Sequence, residues 1–187
     1  MELLLYSIAG GLSLVGLVTW SSYNRLMALD ERCNTAFADV DVQLKHRHSV
    51  IPGLVETVRG YAKHEQAVLT EVTQARAAAL GAAGSESRLH AETQVGQSIS
   101  SLMSVAESYP ELQASPHFRE LRMELADAEN RIAASRRFYN LAVDEFNATL
   151  RQFPGNLIGG AGRLGRRAPF DLGVERILLD EPVSFRF

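Results

Sequence analysis

The residues that could do chemistry in this chain are few and badly spaced for it. His46 and His48 lie two positions apart, so on a helix they point to nearly opposite sides and cannot share a metal ion. A di-iron helical bundle needs Glu-x-x-His on facing helices, and the sequence contains none. His64-Glu65 opens no His-Glu-x-x-His zinc motif, because Val68 stands where the second histidine belongs. His90 and His117 fall near expected helix starts, where surface positions are the expectation. No glycine-rich loop leads into Lys-Ser/Thr, and no Gly-x-Ser-x-Gly elbow occurs. The single cysteine, Cys33, excludes an internal disulfide and falls on an apolar stripe as a small core residue. These patterns predict no catalytic residues, no metal and no cofactor. Asn147-Ala-Thr149 fits a glycosylation acceptor but sits inside an expected helix.

The polar residues that do stand out are asparagines. Asn24, Asn34, Asn130, Asn140 and Asn147 all lie in two long helical stretches, although asparagine is a poor interior helix former. Two roles fit them: polar pairs that fix helix register, at some cost in stability, or a strip that binds a partner.

The elements that must position these residues follow from periodicity. Residues 3–20, LLLYSIAGGLSLVGLVTW, carry no charge and span about 27 Å as a helix, enough to cross the hydrocarbon core. Tyr6 stands near one end, Trp20 and Tyr23 near the other, as interfacial aromatics do. Glu2 replaces the positive region of a cleaved signal peptide, and the following VTWSS is a poor cleavage site. No Lys or Arg precedes the segment, whereas Arg25 and Arg32 follow it. The positive-inside rule therefore places the N-terminus outside and the rest in the cytoplasm. Ser7 and Gly11 form a small-xxx-small pair through which two copies could approach, making a homo-oligomer.

Beyond the span the period is helical. Leu26, Leu29, Cys33, Ala36, Val40, Leu44, Ile51, Leu54 and Val58 trace one stripe, with a stutter at Val40–Leu44. Only Arg47 breaks it, read as a long stem covering apolar surface. The pattern passes through Pro52, which predicts a kink and not a stop. A second helix is expected over about 63–80 and a third over about 87–109, separated by a Gly/Ser break at 81–87. Ser115 as N-cap and Pro116 at the first helical position open a fourth helix, which Pro154-Gly155 ends. Its stripe runs from Phe118 through Leu125, Ile132, Tyr139 and Phe146 to Phe153.

The fold class expected is therefore all-α: a transmembrane anchor at 1–22, an antiparallel four-helix up-and-down bundle with two long helices at 23–153, and an irregular tail at 154–187. The long helices, each about 55 Å, match end to end, with facing residue numbers summing to about 174. That register opposes Asn34 to Asn140 and Gln43 to Arg131. In the tail, Gly159, Gly160, Gly162 and Gly165 argue against a helix, and Arg163, Arg166 and Arg167 are candidates for contact with anionic headgroups. Val183, Phe185 and Phe187 alternate as a strand that could add to a partner's sheet edge. Lys+Arg 19 against Asp+Glu 22 gives a net charge of -3, which argues against nucleic acid as a partner.

The run DVQLKHRHSVIPGLVETVRGYAKHE, with AENRIAASRRFYN downstream, resembles the LemA family, as do ESYPELQ and the leading span. The resemblance covers about residues 20–158 and the N-terminal segment. It implies a single-pass protein of the bacterial inner membrane with a four-helix bundle and no assigned catalytic residues. Some relatives take part in magnetosome formation, which implies membrane-organising work. Family genes often neighbour those for TPM-domain proteins and HtpX-like membrane proteases, which makes these protein-partner candidates alongside membrane lipid. The expectation is a membrane-tethered interaction or scaffold module. Its alternative is a sensor of a small ligand or stress signal, binding in a core cavity at the stutters near Val40 or Tyr139.

Overall fold

The computed structural model describes residues 1–83, 85–162 and 164–170. Among these the chain is all-α, with six helices: α1 Glu2–Tyr61, α2 Gln66–Gly81, α3 Ser85–Glu107, α4 Pro110–Ala114, α5 Pro116–Arg151 and α6 Gly155–Ala161. It divides into two compact units, one formed by Met1–Asp41 with Ala134–Pro169 and the other built on Val42–Ala133.

Every residue from 1 to 21 is exposed. Burial on α1 begins at Leu26 and follows the stripe Leu29, Cys33, Ala36, Val40, Leu44, Ile51, Leu54 and Val58 without a miss. Apart from the stutter at Val40–Leu44, the spacing keeps to steps of three, four or seven residues, so one face stays inward from Leu26 to Val58. Pro52 lies inside α1 and is exposed, and the helix continues past it, since proline removes a single backbone donor.

In the first unit α1 and α5 run antiparallel. Arg32 meets Glu145, and the Phe37 and Tyr139 rings stack edge-on at 5.6 Å, so facing numbers add to 177 and 176. Tyr139, Val143 and Phe146 supply α5's buried face there. In the second unit Val50, Leu54 and Val58 of α1 share one core with Leu69 and Val72 of α2, Val95 and Leu102 of α3, Leu112 of α4, and Phe118 and Leu125 of α5. Helices α2 and α3 are separate and pack on each other. The Ser115 hydroxyl accepts the Phe118 amide at 3.5 Å, opening α5 as its cap chemistry predicts.

Three expectations need correction. The break between the third and long fourth helices holds a further short helix, α4, with Pro110 at its start and Leu112 buried. Phe153 does not extend the buried stripe: α5 ends at Arg151 and Phe153 is 78% exposed. The tail is not irregular throughout, because residues 155–161 form α6. Its glycines are used for close approach. Gly155 and Gly159 lie one turn apart, and a Cβ on either would collide with Thr149 or Leu150 of α5. Packing at that contact offsets the entropy that glycine loses in a helix.

Phe146 of α5 is fully buried. Phe146→Ala should destabilise the protein by about 3–5 kcal/mol through lost burial and the cavity left behind. Urea unfolding in mild detergent measures it, and a loss below about 1 kcal/mol would mean the ring is not packed as described.

Candidate functional site

The most chemically loaded place in the protein is one that the stripe analysis passed over. Arg47 does not run its stem across apolar surface to reach water. Its side chain is 2% exposed, and the guanidinium is held inside the second unit. Nη2 donates to the Glu92 carboxylate and, at 3.1 Å, to the Glu92 backbone carbonyl. Nη1 donates to Glu129 Oε1 at 2.9 Å. The other Glu92 oxygen lies 2.9 Å from His48 Nε2, and Glu92 is 1% exposed and His48 3%. From α2, Arg76 Nε donates to the His48 carbonyl at 2.9 Å. Four helices thus meet in one network of charge-assisted hydrogen bonds.

Local sequence explains how the groups arrive. Arg47 falls between Leu44 and Ile51, both buried, so its position faces inward. Glu92 follows Leu89 by three and precedes Val95 by three, on the inward face of α3. Two opposite charges at inward positions of neighbouring helices are the signal, unused in the stripe analysis, that could have found this centre. Burial pushes the Glu92 carboxyl up, but the hydrogen bond from His48 and the positive charge of Arg47 outweigh it and hold Glu92 below the usual carboxylate value. His48 Nδ1 has no acceptor among the described residues, so the tautomer that fits the network carries its proton on Nε2 and donates to Glu92. A carboxylate committed in this way is a poor base, and the arrangement suits holding helices together.

The first unit holds a second polar centre, and here the asparagines find their use. Asn147 pairs both ways with the backbone of Arg167: Nδ2 donates to its carbonyl at 2.8 Å, and Oδ1 accepts its amide at 3.1 Å. The Arg167 side chain donates from Nε to Asp30 Oδ1 at 2.8 Å and from Nη2 to Asn34 Oδ1 at 2.7 Å. Its guanidinium carbon sits 6.0 Å from the Phe146 ring centre. The Tyr139 hydroxyl donates to the Ala168 carbonyl at 3.1 Å. An extended stretch of the chain's own tail therefore lies along α1 and α5. Cys33 is buried beneath it, and burial, only partly offset by Arg167, pushes the thiol pKa up. That disfavours the reactive thiolate.

Of the residues singled out from the sequence, Arg167 has partners within the protein and Arg166 is exposed. Arg163, Val183, Phe185 and Phe187 lie outside the described residues. Asn34 bonds to Glu31 and Arg167, and Arg131 pairs with Asp127 along α5. Gln43 and Asn140 are half-buried. Two open clefts of about 370 and 300 Å³ are found in the second unit, one between Glu71, Ala75 and Gln94, the other beside Phe118, Arg122 and Glu129. Neither lies at Val40 or Tyr139, where the sensor reading requires a core cavity.

The buried pair predicts a clear mutational pattern. Arg47→Met alone leaves an uncompensated buried carboxylate and should destabilise the protein by about 3–5 kcal/mol, whereas Arg47→Met with Glu92→Leu should recover most of that loss. Because Glu92's folded-state pKa is depressed below its ordinary 4.5, its contribution is fully present above that value. It is lost as pH falls through the depressed one. Unfolding measured across acidic pH should show this loss in the wild type and not in Glu92→Gln.

Several known proteins are similar in sequence to this chain. Residues 36–185 match the sequence profile of the LemA family. The chain is 25% identical to protein LemA of Metamycoplasma hominis, over 84% of this chain and 73% of that protein. It is 21% identical to magnetosome protein MamQ 2 of Paramagnetospirillum magneticum, over 73% of this chain and 60% of the relative. It is 22% identical to magnetosome protein MamQ of Magnetospirillum gryphiswaldense, over 76% and 63%. The chain thus spans about three fifths of the length of the magnetosome relatives. With a profile match over most of its length, the chain belongs to the LemA family.

Proposed function

We propose that this protein is a membrane-tethered helical interaction or scaffold module without catalytic activity. The observation that carries the reading is where its polar chemistry goes. Arg47 and His48 both bind Glu92 in the interior, and Asp30, Asn34 and Asn147 are taken by Arg167. The exposed apolar segment at the start of α1 is long enough to cross a bilayer. On this reading it is a single-pass anchor in the bacterial inner membrane. Arg25 and Arg32 hold an antiparallel four-helix bundle on the cytoplasmic side, with the N-terminus outside. The relatives named for the magnetosome support work in organising a membrane.

Partners on this reading are protein and lipid, not nucleic acid. The alternating Val183, Phe185 and Phe187 supply a strand for a partner's sheet edge. TPM-domain and HtpX-like membrane proteins, and a second copy of the chain, are the candidates.

Photo-crosslinking from position 185 in native membranes tests the reading. Specific adducts should form and should vanish when residues 183–187 are deleted, while the melting temperature of the purified protein stays unchanged. Deletion that lowers the melting temperature and spares the adducts would make the segment structural cover and remove it from partner binding. A reporter active only in the periplasm, fused after Phe187, should stay silent; strong activity would reverse the topology.

A further inference from the structure

The end of the first unit nearest the apolar segment carries exposed apolar side chains that none of the described residues covers. Phe153 is 78% exposed and Leu157 65%, on the turn and short helix that follow α5. Their height along α1 can be read from the register. Facing pairs Arg32–Glu145 and Phe37–Tyr139 add to 177 and 176, so Arg151, the last residue of α5, is level with residues 25 and 26. Leu26 is also where burial on α1 begins, an independent sign that the packed region ends there. Phe153 lies in the turn just past that end, close to the level of Tyr23 on α1. That is about 5 Å along the helix axis from Trp20, the end of the apolar run. The headgroup layer on each side of a bilayer is itself about 5–8 Å thick.

The orientation of α6 agrees. Gly155 and Gly159 face α5, which leaves Leu157 on the outer side. Charge agrees as well. No Asp or Glu occurs from 3 to 29 or from 146 to 170, whereas Arg25, Arg151, Arg163, Arg166 and Arg167 fall in those stretches. Arg167 is engaged with Asp30, while Arg25, Arg151 and Arg166 are exposed. An apolar aromatic and a leucine flanked by arginines suit an anionic bilayer surface.

We propose that the turn between α5 and α6 is a second membrane contact, in which Phe153 and Leu157 enter the headgroup layer of an anionic bilayer beside the anchor while Arg151 and Arg166 face its phosphates. The inference rests on residues 3–20 being the span. It gives the first unit two points on the membrane, so that this unit holds a fixed pose instead of pivoting about the anchor.

Trp20 is the only tryptophan, which permits a direct test. The full chain is placed, one copy per nanodisc, in discs containing phosphatidylglycerol with brominated acyl chains. Trp20 in the wild type reports the span. Phe153→Trp in a Trp20→Phe background reports the turn, and Leu157→Trp in the same background covers a failure of the first variant to fold. The turn tryptophan should emit as a partly dehydrated indole and lose intensity to the brominated chains about as much as Trp20 does. A tryptophan that is unquenched by the lipid overturns the proposal, whether water reaches it freely or a protein surface shields it from iodide. An unquenched Trp20 would instead overturn the span on which the proposal rests.

Discussion

The second unit depends on keeping one guanidinium out of water. Arg47 occupies a core position between Leu44 and Ile51, and every helix that approaches it must bring a polar group or leave a charge unpaired. Glu92 of α3 and Glu129 of α5 bring theirs, and Arg76 of α2 secures the neighbouring His48 carbonyl. A buried ion pair gives little net stability compared with apolar residues of the same volume, yet removing one partner is expensive. Its effect is therefore selective. A slide of α3 by one turn would still bury leucines and valines, but it would strand Arg47. Apolar stripes alone tolerate such slides; the charged centre does not.

The first unit applies the same constraint with asparagines and a second ion pair, Arg167–Asp30. Asparagines in helix interiors lower helix propensity, and Asn34 and Asn147 are offset by the tail segment that they bind. Arg167 joins that segment to Asp30 and covers Phe146. Two residues of the polar strip, Asn34 and Asn147, are thus engaged by the chain itself. Phe153, Leu157, Arg151 and Arg166 remain outward at this end, among neutral polar residues such as Gln152 and Asn156.

How much of this was legible in the sequence depended on whether a signal repeated. The stripes of α1 and α5 recur over many turns, so the buried faces from Leu26 to Val58 and from Phe118 to Phe146 could be read off almost residue by residue. Ser115-Pro116 marked a helix start because cap chemistry is local. Arg47 gives no repeat. A lone arginine on an apolar stripe is equally a surface stem or a buried charge, and only the matching inward position of Glu92 decides between them. Helix α6 was hidden by its own composition, since glycine reads as a breaker until the close approach to Thr149 and Leu150 is known. The tail's contact with Asn147 and Asp30 joins residues far apart in sequence, which no local pattern encodes.

The central claim is that Arg47 is locked inside the protein by three simultaneous anchors on α3 and α5. Side-chain ¹⁵N NMR of the arginines in the full chain tests it most directly, with exposed Arg131, paired only along its own helix to Asp127, as the internal reference. A locked guanidinium cannot rotate about its Nε–Cζ bond, so Arg47 should show separate, slowly exchanging Nη resonances that persist until Glu92 is protonated by acid. A single averaged Nη signal for Arg47, exchanging with water as fast as that of Arg131, would contradict the account.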